Sequence, residues 1–318
     1  MTFVLLEDVL QRLVTGVLVG AIYGLLCAGL GMIFGVIRII NFAQGEFMTL
    51  GMYATLFAAT ALGSVTVFGP AAGAYVGIAC AALALAVFGW LIQTFVMSHV
   101  SGARVSGSDN EGHFAQLILT LGLSLVISNG ALILFGSSSQ TVRTPLAATS
   151  WEFGPYTGEA IIIFVNKARA IGGVVAAAAG LALYLLVQKT HVGTGMRAAA
   201  DNPTAATIVG IDIARAYALA FAIGTGATAL AGGLIATYYP FSPYTGFEFI
   251  IIMYAGVVLG GMGSMLGAFW GGFTIGLVQQ LSTFVLPFQL QNATIFILFL
   301  TVVLLRPQGL FGRSAERT

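Results

Sequence analysis

The stretch RIINFAQGEFMTLG, residues 38–51, places polar side chains between two apolar runs. Its polar members are Arg38, Asn41, Gln44 and Glu46. Amide and carboxyl groups can bind a polar solute, but at membrane depth they are costly unless they face a cavity or a partner. Two interpretations stay open. The stretch is either a tight turn in which Glu46 stabilises the next helix N-terminus, or a broken helix beside a translocation route.

A second polar stretch runs from Lys189 to Ala216 and contains DNPTAATIVGID. Asn202 is typical of an N-cap, and Pro203 of a first helical position, so a short helix is predicted from here. Its mildly apolar face would consist of Ala205, Ala206, Ile208, Val209 and Ile211. The pattern indicates either a docking helix for a partner protein or an ordinary amphipathic connection.

A third feature is the glycine-rich interruption between Gly256 and Gly272. The interruption lacks the G-x-G-x-x-G spacing, the preceding strand and the following acidic residue of a dinucleotide-binding loop, so that function is excluded. We predict a flexible break between two half-membrane segments at Gly260, Gly261 and Gly263.

A faint internal repeat links residues 45–54, GEFMTLGMYA, to residues 247–256, FEFIIIMYAG. Glu46 and Tyr53 in the first copy have counterparts in the second, where the acidic residue is Glu248. Transporters are often built from repeats with the substrate route between them. Glu46, Tyr53 and Glu248 are therefore candidate route residues, with chance similarity as the competing explanation.

The composition decides the class of protein. Of the 318 residues, 58% are hydrophobic and 7% are charged, and the mean hydropathy is +0.98. A soluble domain carries about 25% charged residues, so most of this surface must face lipid. The chain is predicted to be a polytopic membrane protein. Its net charge of +1 gives no indication of nucleic-acid binding.

No pattern in the chain indicates catalysis, a cofactor or a metal site. Lys167 and Lys189 do not belong to a G-x-x-x-x-G-K-[ST] motif, so P-loop hydrolysis of ATP by this chain is excluded. The histidines, His99, His113 and His191, are far apart along the chain, which argues against a metal site.

The apolar runs predict an all-α protein with about eight to ten transmembrane helices of about 20 residues each. Strands are not indicated, because the runs are too long and lack alternation. We expect a single permease-like domain over residues 1–318, with residues 189–215 as a cytoplasmic segment within it. The apolar runs are residues 13–37, 47–62, 71–97, 114–135, 171–187, 216–238, 249–259, 266–286 and 293–305.

The distribution of Lys and Arg predicts a cytoplasmic C-terminus and, with nine spans of about 20 residues, an external N-terminus. The smaller, external set is Arg12, Arg143, Lys167 and Arg169. The larger, cytoplasmic set is Arg38, Arg104, Lys189, Arg197, Arg215, Arg306, Arg313 and Arg317.

These motifs together resemble the permeases of branched-chain amino acid ABC importers, the LivH–LivM family, and the LivH-like half of it in particular. The resemblance rests on GVIRIINFAQGEFMTLGMYA, GTGMRAAADNPTAATIVGID, AGVVLGGMGSMLGAFWGG and LLRPQGLFG, in that order. It extends from about Leu10 to Gly312. Most family members have a histidine where this chain has Gln44, so the chemistry at that position departs from the family pattern.

The resemblance implies a type II importer-like bundle in the bacterial inner membrane that works by alternating access. It implies a second, LivM-like permease, two ATPase subunits that bind the ATP and Mg²⁺, and a periplasmic substrate-binding protein. Asn41, Gln44, Glu46 and Glu248 become candidates for the route. The implied ATPase contact lies between Arg197 and Ile211, through Arg197, Asp201, Asn202, Pro203, Ala206, Gly210 and Ile211.

The substrate stays open at this stage. Members of the family that this chain resembles are associated with the transport of branched-chain or other hydrophobic amino acids, and also of urea, short amides and aromatic carboxylates. Two rival classes are a stand-alone channel and a secondary transporter. Neither explains the polar stretch from Arg197 to Asp212.

Overall fold

The computed structural model of this chain describes residues 2–63, 69–100, 109–156, 161–287, 290–306 and 308–311. Arg104, Arg313 and Arg317, three residues of the predicted cytoplasmic set, lie outside these ranges.

Long helices account for every predicted apolar run. They are α1 (Thr2–Ile37), α2 (Gln44–Gly63), α3 (Gly69–Ile92, continued by a π-helical turn Gln93–Met97 and by Ser98–Val100), α4 (Asp109–Phe135), α5 (Lys167–Lys189), α6 (His191–Asp201), α7 (Pro203–Ile208), α8 (Ile213–Ala236), α9 (Thr245–Gly260), α10 (Met265–Ser282) and α11 (Gln291–Leu305). In the described ranges, 5 helices are long and apolar enough to cross a membrane, namely α1, α3, α4, α5 and α8. The shorter helices α9 and α11 are also apolar. The all-α, polytopic prediction is confirmed for the membrane part of the chain.

A β-hairpin corrects the prediction that the chain has no strands. Strand β1 (Ser150–Tyr156) pairs antiparallel with β2 (Ile161–Asn166), with Trp151 opposite Val165. The sequence of β2, IIIFVN, is rich in β-branched and aromatic residues, which favour strands. Because β1 and β2 are short and lie between α4 and α5, a test for long alternating runs does not detect them.

The bundle has two distinct ends, which we name the hairpin end and the coupling end. At the hairpin end, the Gln11 side chain bonds the backbone of Phe164 in β2. At the coupling end, the Arg38 guanidinium donates to the carbonyl of Ala200 at 3.0 Å. Helix α1 joins the two ends with 36 residues, a length of about 54 Å at about 1.5 Å per residue.

The described part of the chain begins at the hairpin end, with α1, and ends at the coupling end. After α11, the amide of Leu310 donates to the carbonyl of Leu259 at 2.8 Å, near the end of α9. That end of α9 adjoins Gly263, which packs against Gly35 near the end of α1. Opposite ends for the first and last described residues require an odd number of crossings, as nine spans would give.

Helices α1 and α8 form the centre of the bundle, whereas α3, α4 and α5 are mostly exposed. Small residues allow this close packing. A Cβ on Gly29 of α1 would lie 2.7 Å from the carbonyl oxygen of Gly224 in α8, and a Cβ on Gly276 of α10 would lie 2.5 Å from the Cα of Gly20. Packing at small residues is the usual basis of helix association in lipid.

Candidate functional site

The polar motif forms a non-helical connection inside the bundle, residues 38–43, which we name the buried connection. Ile39, Asn41 and Ala43 are buried, and Arg38 has a φ of 60°. Positive φ is uncommon for a residue with a side chain and marks a conformation that surrounding contacts must hold. Thr120 of α4 contributes one such contact, because its Oγ1 lies 3.3 Å from the carbonyl oxygen of Ile40.

Asn41 and Gln44 form a hydrogen-bonded network with α8. The Asn41 Nδ2 donates to Gln44 Oε1 at 3.0 Å, and Gln44 Nε2 donates to Thr228 Oγ1 at 2.6 Å and to the Gly224 carbonyl at 3.4 Å. Both amide side chains are completely buried. Gly224 and Thr228 lie midway along α8, so α2 begins in the middle of the bundle instead of at its surface. The polar motif is therefore a non-helical break that starts at the exposed Arg38 and Ile40 and enters the bundle.

The N-terminal turns of α2 and α9 meet in direct backbone contact. A Cβ on Gly45 would lie 2.3 Å from the carbonyl oxygen of Gly246. Glu46 is also at this contact, with 1% of its surface exposed, and its Oε2 has no hydrogen-bond partner among the described residues. The two helices that carry the internal repeat thus start from one point and run toward opposite ends of the bundle.

Glu248 lies near this contact but faces the outside of the chain. It is exposed, and the Tyr239 hydroxyl lies 3.4 Å from its Oε2 as a hydrogen-bond donor. Tyr239 belongs to the connection between α8 and α9. Burial, followed by the neighbouring Glu248 carboxylate, raises the pKa of Tyr239 above its ordinary value, so the hydroxyl stays protonated and can donate.

Tyr53 is separated from the other candidate route residues. It is buried near the hairpin end, where its ring stacks on Phe135 at 4.2 Å and meets Phe241 edge-on at 5.0 Å. These contacts describe a packing role for the Tyr53 ring. The structure brings together Asn41, Gln44 and Glu46, with Glu248 on the adjacent surface.

The glycine-rich interruption is a tight turn at the coupling end. Helix α9 ends at Gly260 and α10 begins at Met265, and Gly261 and Gly263 between them have φ values of 103° and 94°. Only glycine adopts such values without strain. The C-terminal motif covers this turn, because the amide of Phe311 donates to the Gly260 carbonyl at 3.2 Å.

The polar stretch after α5 forms the coupling segment, residues 189–215, with helices α6 and α7. Asn202 caps α7 by accepting a hydrogen bond from the Ala205 amide at 2.9 Å, and Pro203 occupies the start of the helix. Met196 and Ala199 of α6 are buried against the bundle. The segment is thus attached on one side and free on the other.

The predicted contact residues of the coupling segment have different environments. Asp201, Asn202, Pro203 and Gly210 are exposed and Ile211 is half-buried, whereas Arg197 turns back to donate to Gln188 Oε1 at 2.8 Å.

The single apolar face predicted for α7 is wrong. Ala206 is 4% exposed and faces the bundle, whereas Ile208 and Val209 are 82% and 80% exposed. A helix shorter than two turns does not separate its faces in sequence as a longer one does.

Several residues at these sites were not predicted from sequence. Thr120 and Thr228 form hydrogen bonds with the polar motif. Tyr239 forms a hydrogen bond with Glu248, and Asn292 lines the same groove as Glu248. Each is distant in sequence from its partner, and a single Thr, Tyr or Asn in an apolar run carries no motif.

Comparison with known proteins decides the family. Residues 12–305 match the family described as "Branched-chain amino acid transport system / permease component". The chain belongs to this family. The match covers the buried connection, the coupling segment and the glycine turn together. No solved structure gives a significant match.

Individual relatives of this permease are similar over nearly their full length. It is 30% identical over 308 residues to the high-affinity branched-chain amino acid transport system permease protein LivH of Escherichia coli K12, and the alignment covers 96% of each chain. The LivH protein of Salmonella typhimurium gives the same 30% identity over 96% of each chain. This permease is also 28% identical to the high-affinity branched-chain amino acid transport system permease protein BraD of Pseudomonas aeruginosa, over 96% of each chain.

Proposed function

We propose that this permease is the transmembrane subunit of an ATP-driven importer of branched-chain amino acids. The relatives' names support the substrate class, and family membership supports the role of permease. In this proposal residues 1–318 form one membrane domain in the bacterial inner membrane, with the coupling end and the C-terminus in the cytoplasm. The chain itself needs no cofactor, because partner ATPases bind the ATP and Mg²⁺.

The observation that carries the ATPase partnership is the exposed apolar pair Ile208 and Val209 at the tip of the coupling segment. Neighbouring Asp201, Asn202 and Gly210 are exposed polar or small residues, so this tip does not resemble a lipid-facing surface. Exposed apolar side chains in a polar rim are typical of protein–protein contacts. Two ATPase subunits would dock here and on a second, LivM-like permease, while a periplasmic substrate-binding protein would dock at the hairpin end.

The contacts also suggest how ATPase movement reaches the membrane. Closure of the ATPases would displace α7 and α6, and the Arg38–Ala200 hydrogen bond joins α6 directly to the buried connection. Movement of that connection would shift the start of α2 relative to α9, at Gly45 and Gly246. Opening one end of the bundle while the other closes is alternating access.

Affinity purification of the tagged chain in mild detergent, followed by mass spectrometry, tests the partnership. The proposal predicts recovery of a second permease and P-loop ATPases, and loss of the ATPases alone in the double variant Ile208→Asp/Val209→Asp. Val285→Asp is the matched control, because Val285 is 79% exposed but lies at the hairpin end. Purification of a chain that is stable and active in transport without partners would contradict the proposal and favour a channel or secondary transporter.

A further inference from the structure

A groove on the outer side of the bundle lies between the first turns of α9 and α11. Its volume is about 210 Å³, and it is lined by Phe247, Glu248, Ile251, Ile252, Asn292, Ile295 and Phe296. Pockets for drug-sized ligands are larger, about 300–1,000 Å³. The groove therefore suits a smaller molecule with an apolar part.

The polar groups in this groove come from two different helices. Glu248 belongs to the first turn of α9, and Asn292 to the first turn of α11. Among the described residues no Lys, Arg or His lies within ion-pair distance of Glu248, and none pairs with the Asn292 amide. Helix α11 also begins at Gln291 without a side-chain cap. One wall thus offers a carboxylate, and the other offers N–H donors.

We propose that this groove binds the zwitterion of an aliphatic amino acid within the route. The Glu248 carboxylate receives the ammonium group, with Tyr239 holding the carboxylate in place. The Asn292 amide and the α11 N-terminus receive the carboxylate, and the side chain packs on Ile251, Ile295 and Phe296. This inference rests on the proposed function and identifies a substrate-contacting residue for it.

The charge of Glu248 selects among the substrate classes that the sequence left open. An aromatic carboxylate is an anion, and the exposed Glu248 carboxylate would repel it because like charges at short range are unfavourable. Urea and short amides carry no ammonium group for Glu248, and they have little or no alkyl surface to cover Ile251 and Phe296. A zwitterion with an aliphatic side chain matches the charge and the apolar lining together.

The location of Glu248 gives the site a place in the assembly. An exposed carboxylate on an apolar helix is costly against lipid, so this face requires cover by protein or water. The second permease of the proposed importer would supply that cover. The groove then lies between the two permeases, where a substrate released at the hairpin end can enter.

Saturation-transfer NMR on the two permeases and the ATPases in nanodiscs tests the site with leucine, leucinamide and 4-methylpentanoate. The substrate-binding protein is left out of this measurement because it binds leucine itself. The unmodified assembly should bind leucine and exclude 4-methylpentanoate, which lacks the amine. Glu248→Gln should weaken leucine binding by about threefold to tenfold. It should also allow 4-methylpentanoate to bind, because the repelling charge is gone. Asn292→Leu should weaken the binding of leucine but not the binding of leucinamide, which has no carboxylate.

Glu7→Gln, at the start of α1 and away from the groove, is the control and should leave all three ligands unchanged. Unchanged leucine affinity in Glu248→Gln, or continued exclusion of 4-methylpentanoate, would overturn the inference. A parallel uptake assay separates the two proposals. If the unmodified assembly imports leucine while Glu248→Gln binds like the unmodified protein, only the groove assignment fails. If the unmodified assembly imports no amino acid, the proposed function fails first.

Discussion

Gln44 illustrates how a polar residue can be retained inside a membrane protein. Its amide accepts from Asn41 and donates to Thr228 and the Gly224 carbonyl, so its hydrogen-bonding capacity is largely used within the chain. Neutral imidazole also has one donor and one acceptor. A histidine at this position in the resembling family is therefore chemically compatible with the same network.

Substitution of Gln44 tests whether this network holds the start of α2. Gln44→Ala leaves the buried Asn41 Nδ2 without its acceptor, while Thr228 keeps its own bond to the Gly224 carbonyl, and we expect a loss of about 1–3 kcal/mol in stability. Gln44→His should retain most of that stability. Thermal unfolding of the variants in nanodiscs measures the difference, with the half-buried Gln280→Ala as control. Equal unfolding temperatures for Gln44→Ala and the unmodified chain would contradict the network's role.

At the scale of elements, the meeting of α2 and α9 depends on two glycines. Gly45→Ala would place a Cβ 2.3 Å from the Gly246 carbonyl oxygen, whereas Gly122→Ala meets no atom within 4 Å. We expect Gly45→Ala to cost about 1–3 kcal/mol through overpacking, and Gly122→Ala to be neutral or slightly stabilising by up to about 1 kcal/mol. The unfolding temperatures of the two variants make this comparison. A tolerated Gly45→Ala would show that the helices do not approach as described.

Arg38 is the element-scale link between the coupling segment and the buried connection. Removing its side chain should uncouple ATP hydrolysis from transport, because movement of α6 would no longer reach residues 38–43. Comparing Arg38→Ala with Arg38→Gly separates the effect of the lost side chain from the effect on the backbone, since glycine adopts a φ of 60° without strain. Both variants should hydrolyse ATP in the assembled transporter without matching uptake. If Arg38→Gly transports normally, only the backbone conformation matters.

The limits of sequence-based prediction are clearest for these elements. The apolar runs locate the long helices because lipid requires about 20 apolar residues per span. The depth at which α2 begins depends on Gly45 meeting Gly246, about 200 positions away along the printed sequence, and no local pattern encodes such a contact. Likewise, composition marks α7 as a short helix, but only packing shows that Ala206 is buried and Ile208 exposed.

For the whole molecule, the proposed orientation requires that the two ends of the bundle are exposed on opposite sides of the membrane. Ser138 lies near the hairpin end and Thr204 in the coupling segment, and both are exposed. In a chain with Cys27 and Cys80 replaced, Ser138→Cys should react with an impermeant maleimide in spheroplasts, and Thr204→Cys only after permeabilisation. Labelling of Thr204→Cys in intact spheroplasts would reverse the proposed orientation.

Leucine uptake into proteoliposomes tests whether this permease imports leucine only together with its partners and ATP. The vesicles would contain this permease, its partner permease and the ATPases, with substrate-binding protein outside and ATP inside. We expect leucine accumulation against a gradient only when ATP, binding protein and an intact Ile208–Val209 tip are all present. Leucine flux through this chain alone, indifferent to ATP, would contradict it.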